Sequence, residues 1–430
     1  MSMAELSSIG EEDLDSDDDI SDEQDLWKPL QEEEEDHEGD EDEVVEEENN
    51  EQQDEEEQED AEEGPIDPPH DVSEIRTQPY TLPNHYEWCT CDVNHEETMS
   101  EIYNLLKHNY VEDVESMFRF DYSMEFLKWA LCPPRYCPDW HVGVRVEHTK
   151  RIVAFITGVP SRIRIRGKTV DMAEINFLCI HKKLRSKRVT PLLIRELTRR
   201  VHIMDIWHAV YTTGIVLQTP PPFGMSQYWH RSLNPKKLVE IAFSCPRSTL
   251  KNAIKFYRLP DMPLTPGFRA MERSDVEAIQ SLLRGYLAQF TVAPEFSKED
   301  IEHWFMPTRD DDVIHTFVVE DPESGNVADF CSFYILPSTI LGNEKYKVLK
   351  AAYSFYNVST KTPLCQLMKD ALIVAKQKGI DVFNALDIMH NKDVFEDLKF
   401  KPGDGNLQYY LYNYRLKSRL LPKELGLLLL

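Results

Sequence analysis

The sequence predicts a mixed α/β (α+β) protein of two similar halves, preceded by a disordered acidic tail. Three observations support this prediction. From residue 65 onwards, strand-like and helix-like stretches alternate, and each half is expected to form one mixed sheet flanked by helices. A strand–turn–helix segment with a Thr-Pro-Leu motif occurs twice. Almost all of the net charge of −30 lies in the first 64 residues.

The acidic tail covers residues 1–64. It holds 33 Asp and Glu residues and one Lys, which leaves 44 acidic and 46 basic residues in the rest of the chain. Strong self-repulsion and few apolar side chains predict that this tail is disordered. A solubilising role is favoured over the alternative, an arm that binds a basic partner.

The composition of the remaining chain excludes several classes of protein. No basic, apolar leader is present near the N-terminus, and no stretch approaches the ~18–20 apolar residues of a membrane span. The eight cysteines include Cys89/Cys91 and Cys132/Cys137, without histidines at zinc-finger spacing, so we expect reduced thiols and no metal. We therefore expect a cytoplasmic protein.

The repeated segments span residues 173–202 and 351–379. In each, an apolar run leads through a polar turn to Thr-Pro, at residues 190–191 and 362–363, and then to apolar residues at helical spacing. Thr followed by Pro is typical of an N-cap and a first helical position, and this predicts where both helices begin. An ancient duplication is favoured over the chance recurrence of a common α/β unit.

A proline-rich stretch at residues 260–267 is the predicted boundary between the halves. The first half would then cover residues 65–260 and the second residues 261–430.

A basic loop lies between the strand and the helix of the first repeat. A helix N-terminus offers free N–H groups and the positive end of the helix dipole, and the basic loop adds formal charge, which together suit a pyrophosphate. A solvated loop and a nucleic-acid site are the alternatives, but the near-neutral globular part disfavours nucleic acid. The basic residues are Lys182, Lys183, Arg185, Lys187 and Arg188.

Several long motifs resemble those of the N-myristoyltransferase family. Residues 174–189 are similar to its acyl-CoA signature, and the resemblance is dense from about residue 78 to residue 430. It implies two halves of the GNAT acetyltransferase type related by a pseudo-twofold axis. It also implies transfer of a myristoyl group from myristoyl-CoA, the acyl donor, to N-terminal glycines by direct attack on the thioester. The other matching segments are residues 110–122, 211–214, 228–238, 350–357, 381–387 and 403–413.

The resemblance implies which residues bind the acyl donor. Backbone N–H groups of Phe177 and Leu178 would form the oxyanion hole, and each such donor typically lowers a barrier by ~3–4 kcal/mol. Cys179 and Ile180 would continue along the acyl-CoA. The pyrophosphate would be held by Ser186, Lys187, Arg188, Val189 and Thr190.

Acylation of an amine requires a base, because a free α-amino group has a pKa of about 7.7–8.0 and is mostly protonated near pH 7. Asp and Glu candidates occur throughout the chain, and periodicity does not choose among them. The resemblance implies that the base is the terminal carboxylate of Leu430, with Asn176 and Thr212 beside the incoming glycine. The apolar run at residues 425–430 fits a buried chain end.

The resemblance also implies a peptide groove for protein substrates that begin with Gly once Met is removed, often nascent chains. An acidic loop containing Glu112, Asp113 and Glu115 would favour Lys downstream of that glycine, although a solvated loop is the alternative. The groove would be lined by Tyr110, Phe118, Phe120, Thr212, Gly214, Tyr228, His230, Ser338, Tyr353, Asn384, Asp404, Gly405 and Leu407.

One family feature is missing. An aromatic segment of the type Tyr-x-Phe-Trp-Asp-x-Gln-Pro precedes the Gly-Pro-Ile stretch in the family, whereas the acidic tract stands there in this chain and residues 25–30 are only a weak remnant. A non-catalytic acyl-CoA- or peptide-binding module is therefore the second hypothesis. A small-acyl acetyltransferase is the third, and the groove motifs disfavour it. We expect a monomer that is at most peripheral to ribosomes or membranes.

Overall fold

The computed structural model describes residues 63–113, 116–217, 219–245, 249–307 and 312–430. The predicted tail up to residue 62 and the predicted substrate residue Glu115 lie outside the described residues. Glu63 forms an ion pair with Arg166 at 2.9 Å, and Gly64 pairs with Arg415 in a two-residue strand. The described structure therefore begins two residues before the end of the predicted tail.

The described residues of the first half form eight strands and five α-helices. The helices are α1 (Glu96–Asn109), α2 (Met124–Leu131), α3 (Val189–Ile203), α4 (Pro235–Glu240) and α5 (Leu250–Phe256). The strands are β1 (Gly64–Pro65), β2 (Tyr86–Thr90), β3 (Phe118–Phe120), β4 (His141–Val146), β5 (Ile152–Ile165), β6 (Lys168–Ile180), β7 (Ala209–Thr213) and β8 (Gly224–Ser232).

The described residues of the second half form ten strands and three α-helices. The helices are α6 (Val276–Leu287), α7 (Lys298–Phe305) and α8 (Leu364–Gln377). The strands are β9 (Phe268–Ala270), β10 (Val292–Pro294), β11 (Ile314–Glu320), β12 (Val327–Ile335), β13 (Ser338–Ile340), β14 (Val348–Leu349), β15 (Ala351–Val358), β16 (Val382–Leu386), β17 (Lys401–Tyr412) and β18 (Tyr414–Arg415). The mixed α/β class predicted from the sequence is confirmed.

One large sheet joins the two halves. Its strand order is β2-β4-β5-β6-β7-β17-β8-β16-β15-β12-β11-β9, with β10 added beside β5. The order is symmetric about its centre, because β2, β4, β5, β6, β7 and β17 from one end correspond to β9, β11, β12, β15, β16 and β8 from the other. Each half therefore places the last of its strands in this sheet within the other half, so β8 pairs with β16 and β17 pairs with β7. The expectation of one separate sheet per half was therefore wrong.

The predicted helix starts were wrong by one or two residues. Helix α3 begins at Val189 after Arg188, which adopts a left-handed conformation with φ 57°, so Thr190 lies inside the first turn. Helix α8 begins at Leu364, and Pro363 with ψ 134° is still extended. The Thr362 N–H donates instead to the Asp329 carboxylate. Tertiary contacts at the two loops override the local Thr-Pro preference.

Helices cover both faces of the sheet. Buried side chains of α3 pack on β4 and β5, and those of α8 pack on β12, β15 and β16. Residues of α1, α2, α6 and α7 form a larger core on the opposite face, and this core includes the leucines at positions 425 and 427–429. The apolar lead-in to the chain end is thus part of the main core.

Candidate active site

A gap opens in the sheet between two parallel strands. Strand β6 pairs with β7 only at Ala173 and Glu174, opposite Ala209 and Val210. Beyond Glu174 the two strands separate, which leaves the remainder of β6 without a neighbour on that side. A ligand can reach the backbone of a strand whose hydrogen-bonding edge is exposed in this way.

A bulge lies on β6 at the edge of this gap. Asn176 and Cys179 of β6 face Thr157 and Phe155 of β5, so β6 holds one extra residue there. Phe177 has φ 56°, and the Thr157 hydroxyl donates to the Asn176 carbonyl at 3.0 Å. A bulge of this kind withdraws residues from the regular ladder. Here it withdraws Phe177 and Leu178, the predicted oxyanion residues.

The environment of the bulge is aromatic on one side and open on the other. The backbone N–H of Phe177 donates to the Tyr110 hydroxyl, and burial raises the pKa of that hydroxyl. The Leu178 side chain is 38% exposed. Cys179 and Ile180 are buried, and burial raises the pKa of the Cys179 thiol to about 12. Only the backbone of these last two residues could therefore line the gap.

The basic loop is fastened to the end of α1. The Lys182 N–H donates to the Asn109 side chain at 2.9 Å, and the Arg185 guanidinium donates to the Asn109 carbonyl. Ser186 and Arg188 are exposed, immediately before α3. The first N–H groups of any helix lack an acceptor within that helix. This loop can therefore present hydroxyl, guanidinium and backbone donors to an anion, and Val189 and Thr190 supply the backbone donors.

The acidic loop already has partners inside the protein. Glu112 lies 2.7 Å from both Lys182 and Arg119, and the Lys182 hydrogen bond is the main reason why the pKa of Glu112 falls to about 2. The Asp113 carboxylate accepts from the N–H groups of Met117 and Phe118, both at 2.7 Å. The expected preference for basic substrates stays a prediction.

Aromatic rings from both halves meet beside the gap. Tyr353 stacks on Tyr334 with centroids 5.4 Å apart and contacts Tyr228 edge-on at 6.0 Å. Tyr122 lies 5.2 Å from Phe177. The sequence prediction missed Tyr122 and Tyr334, although Phe118, Phe120 and Tyr122 alternate as residues on one face of a strand do. Of the predicted groove residues, Tyr110, Phe120, Tyr228 and Tyr353 belong to this cluster.

The remaining predicted groove residues lie on neighbouring strands. Ser338 pairs with Phe120 between β13 and β3. The His230 ring bonds to the Asn384 side chain at 2.7 Å, and burial lowers the pKa of His230. A Cβ on Gly403 would lie 2.2 Å from the His230 ring, so this close approach requires glycine. Asp404, Gly405 and Leu407 follow on β17, where the register with β8 shifts, and Gly214 lies near the Asn406 carbonyl.

The chain end reaches the gap through the main core. The Gly426 N–H donates to the Val292 carbonyl at 2.8 Å, and the Leu428 N–H donates to the Tyr356 hydroxyl at 3.2 Å. A Cβ on Gly426 would lie 2.9–3.0 Å from Phe290 and Ala293, so no side chain fits there. These contacts fix the direction of the last residues.

Leu430 ends beside the bulged strand. The Asn176 amide donates to the Glu174 carboxylate at 2.9 Å, and the Leu430 backbone N–H lies near enough to that carboxylate to favour its charged form. Burial raises the pKa of Glu174 to about 7. Thr212 lies on β7, two residues beyond Val210, the residue paired with Glu174. The structure thus brings Asn176 and Leu430 together and adds Glu174, which the sequence prediction quoted within the acyl-CoA motif but gave no role.

The described ranges contain no group of three or more His, Cys, Asp or Glu side chains placed to hold a metal ion. No helix there is both long enough and apolar enough to cross a membrane.

The fold and the site define an α/β protein of two similar halves, in which one half presents a basic loop and a helix N-terminus beside an open, bulged strand. The chain belongs to the N-myristoyltransferase family. Residues 65–223 match the family profile described as "Myristoyl-CoA:protein N-myristoyltransferase, N-terminal domain", and residues 240–425 match that of the C-terminal domain. The family inferred from the motifs is confirmed.

Named relatives agree with this assignment. "Glycylpeptide N-tetradecanoyltransferase 1" of Arabidopsis thaliana is 61% identical over 370 residues, which are 86% of this chain and 84% of the relative. "Glycylpeptide N-tetradecanoyltransferase 2" of Danio rerio is 54% identical over 368 residues, or 85% of this chain and 73% of the relative. A crystal structure of Saccharomyces cerevisiae N-myristoyltransferase with bound myristoyl-CoA is 43% identical, with a TM-score of 0.80, and the match covers 84% of this chain and 90% of that one.

Proposed function

We propose that this protein transfers a myristoyl group from myristoyl-CoA to the N-terminal glycine amine of proteins and peptides. Membership of the family and the names of its relatives support this activity. The observation that supports the proposal is the position of the chain end, whose backbone N–H lies near the Glu174 carboxylate beside the bulged strand. A partly buried terminal carboxylate beside an open strand suits proton abstraction from an amine.

The donor would lie along the gap, with its pyrophosphate at the start of α3. Ser186, Lys187 and Arg188 would bind phosphate oxygens together with the backbone N–H groups of Val189 and Thr190, because a helix N-terminus stabilises anions. Myristoyl-CoA supplies the activated thioester. The thioester oxygen would face the N–H groups of Phe177 and Leu178, which the bulge withdraws from the ladder. The Phe177 N–H would exchange its Tyr110 partner for this oxygen.

The acceptor would enter from the aromatic cluster shared by the two halves. Its glycine amine would lie between Asn176, Thr212 and the terminal carboxylate of Leu430. That carboxylate would accept a proton from the ammonium group, and the neutral amine would then attack the thioester carbon directly. The C–S bond would break to release CoA as its thiolate, which takes up the second proton lost by the nitrogen as the amide forms. A positioned general base typically contributes 10²–10⁴-fold to such a step.

The substrates would be proteins that begin with glycine after removal of Met, including nascent chains. We infer that the enzyme acts on them as a cytoplasmic monomer. The acidic loop that would recognise a downstream Lys is supported by its position beside β3, whose Phe118 and Phe120 line the groove.

The test uses the full-length chain with myristoyl-CoA and two peptides that differ only in Gly or Ala at the first position. Mass spectrometry should show one myristoyl group on the amine of the Gly peptide and none on the Ala peptide. Tight binding of myristoyl-CoA without any acylated peptide would instead indicate a non-catalytic binding module.

A further inference from the structure

Glu174 occupies a position that fold stability alone does not explain. It is the last residue of β6 that pairs with β7, and the residues paired with it, Val159 on β5 and Val210 on β7, are apolar. No basic side chain of the described residues contributes to its pKa. Glu174 is partly buried, and desolvating a carboxyl group without a cationic partner costs free energy. A carboxyl group at this site therefore calls for a function.

The second half provides an internal comparison for this position. The bulges place Asn176 and Ser354 at equivalent sites, so the residue equivalent to Glu174 is Ala352. Ala352 also pairs with the neighbouring parallel strand, opposite Phe383. The same backbone geometry therefore forms with alanine in the half whose bulged strand does not receive Leu430.

We propose that Glu174 is a positioning residue for acyl transfer, because its carboxylate holds the last peptide unit of the chain and the Asn176 amide in one arrangement. One oxygen accepts from Asn176 at 2.9 Å, and the Leu430 N–H lies near the same carboxylate. Held in this way, the terminal carboxylate faces the acceptor amine. This inference rests on the proposed function, in which that carboxylate is the base.

The charge of Glu174 adds a second effect. Among the described residues, the ionisable group on which Glu174 acts is the Tyr356 hydroxyl of β15, and the proposed arrangement adds the terminal carboxylate. Because Glu174 has a pKa of about 7, it becomes negatively charged as pH rises through neutrality. A negative charge one peptide unit from the terminal carboxylate raises the pKa of that carboxylate. The terminal carboxylate therefore becomes a stronger base near pH 7, where the acceptor amine is still mostly protonated.

Two substitutions separate position from charge. Glu174→Gln keeps an oxygen that can accept from the Leu430 N–H but removes the charge, whereas Glu174→Ala removes both. We expect the single-turnover rate of the full-length protein to fall roughly tenfold for Gln and about 10²-fold for Ala, the loss typical of a misplaced catalytic group. The affinity for myristoyl-CoA, measured by calorimetry, should stay within about twofold of the native value, since α3 is untouched.

The pH profile supplies a readout that a purely structural role would not move. Between pH 6 and pH 8 the native rate should rise more steeply than that of Glu174→Gln, and Glu174→Asp should retain the steep rise. Ile175→Val, on the opposite face of the same strand, is the matched control and should behave as native. If Glu174→Ala does not fold, Glu174→Gln and its pH profile still decide the matter.

The outcomes distinguish this inference from the proposed function. If deleting Leu430 abolishes turnover while Glu174→Gln and Glu174→Asp leave rate and pH profile unchanged, Glu174 has no positioning role and the C-terminal base stands. If deleting Leu430 has no effect, the base itself is wrong. Loss of turnover in both sets, with intact myristoyl-CoA binding, supports the positioning role.

Discussion

The two halves share one backbone plan but treat their anion sites in opposite ways. In the second half the loop before α8 donates three backbone N–H groups, from residues 360–362, to the buried Asp329 carboxylate. The equivalent residue of the first half is Val153, since Ala154 and Phe330 occupy matching registers. The second half therefore carries its own anion at this loop, whereas the first half has an apolar valine there, as expected if the start of α3 binds an anion from outside.

The two bulged strands also differ in exposure, with the first half again the more open one. Leu178 on β6 corresponds to Tyr356 on β15, and Leu178 is 38% exposed whereas Tyr356 is fully buried. The Tyr356 hydroxyl donates to the Gly426 carbonyl at 3.3 Å and accepts from the Leu428 N–H. The C-terminal segment thus covers the bulge of the second half and delivers Leu430 to the bulge of the first.

The largest expected effect comes from moving the chain end. Removing Leu430 retracts the carboxylate by up to ~3.5 Å, and appending two glycines displaces it in the other direction. Both changes should lower the single-turnover rate by ~10²–10⁴-fold, the usual contribution of a general base, while Leu430→Gln should be mild. The loss should shrink at high pH, where the amine is neutral without a base.

The control for this experiment is myristoyl-CoA binding, which should survive in every variant because the donors at α3 are unchanged. Full turnover by the extended protein would show that the two halves do not cooperate through the chain end.

A second prediction compares the loop before α3, the proposed pyrophosphate site, with the loop before α8. Replacing Lys187 and Arg188 with Ala should raise the KM for acyl-CoA by roughly tenfold and change kcat much less, because both residues act in ground-state binding. Lys361→Ala is the matched control in the second half, where Lys361 pairs with Asp321 at 2.6 Å, and it should leave KM unchanged. Steady-state kinetics would measure both, and an equal rise in the two variants would contradict the asymmetry.

A third prediction concerns the loop before α8, where Asp329 occupies the backbone N–H groups. Asp329→Ala removes an acceptor that serves three backbone donors, so urea unfolding should show a loss of about 2–4 kcal/mol. Inorganic phosphate should then restore part of the lost stability to the variant, because the exposed N–H groups of residues 360–362 can bind it. Equal phosphate dependence of variant and native protein would argue that this loop is not an anion site.

These comparisons show what the sequence could predict. The repeated segments, the basic loop and the family could be predicted from the sequence, because repeats and long motifs are local patterns. The exchange of β8 and β17 between the halves could not be predicted, since strand order depends on pairings between distant segments. Glu174 lay inside a recognised motif, but its role depends on Leu430, 256 positions further along the chain. The role of Asp329 could not be predicted for the same reason, because its partners at residues 360–362 lie on another segment.

The smallest expected effect concerns Glu112, which links the acidic loop to the anion loop of the first half. Glu112→Gln should cost about 1 kcal/mol at pH 7, because solvent screens its pairs with Lys182 and Arg119. The pKa of Glu112 is lowered to about 2 in the folded protein from an ordinary value near 4.3. Its stabilising contribution is therefore fully present above pH ~5 and is lost as pH falls through the interval from there to about 2. Urea unfolding of native protein and variant should give a constant difference from pH 8 to pH 5 and a shrinking one below, whereas a difference that grows on acidification would mean that Glu112 is not paired in this way.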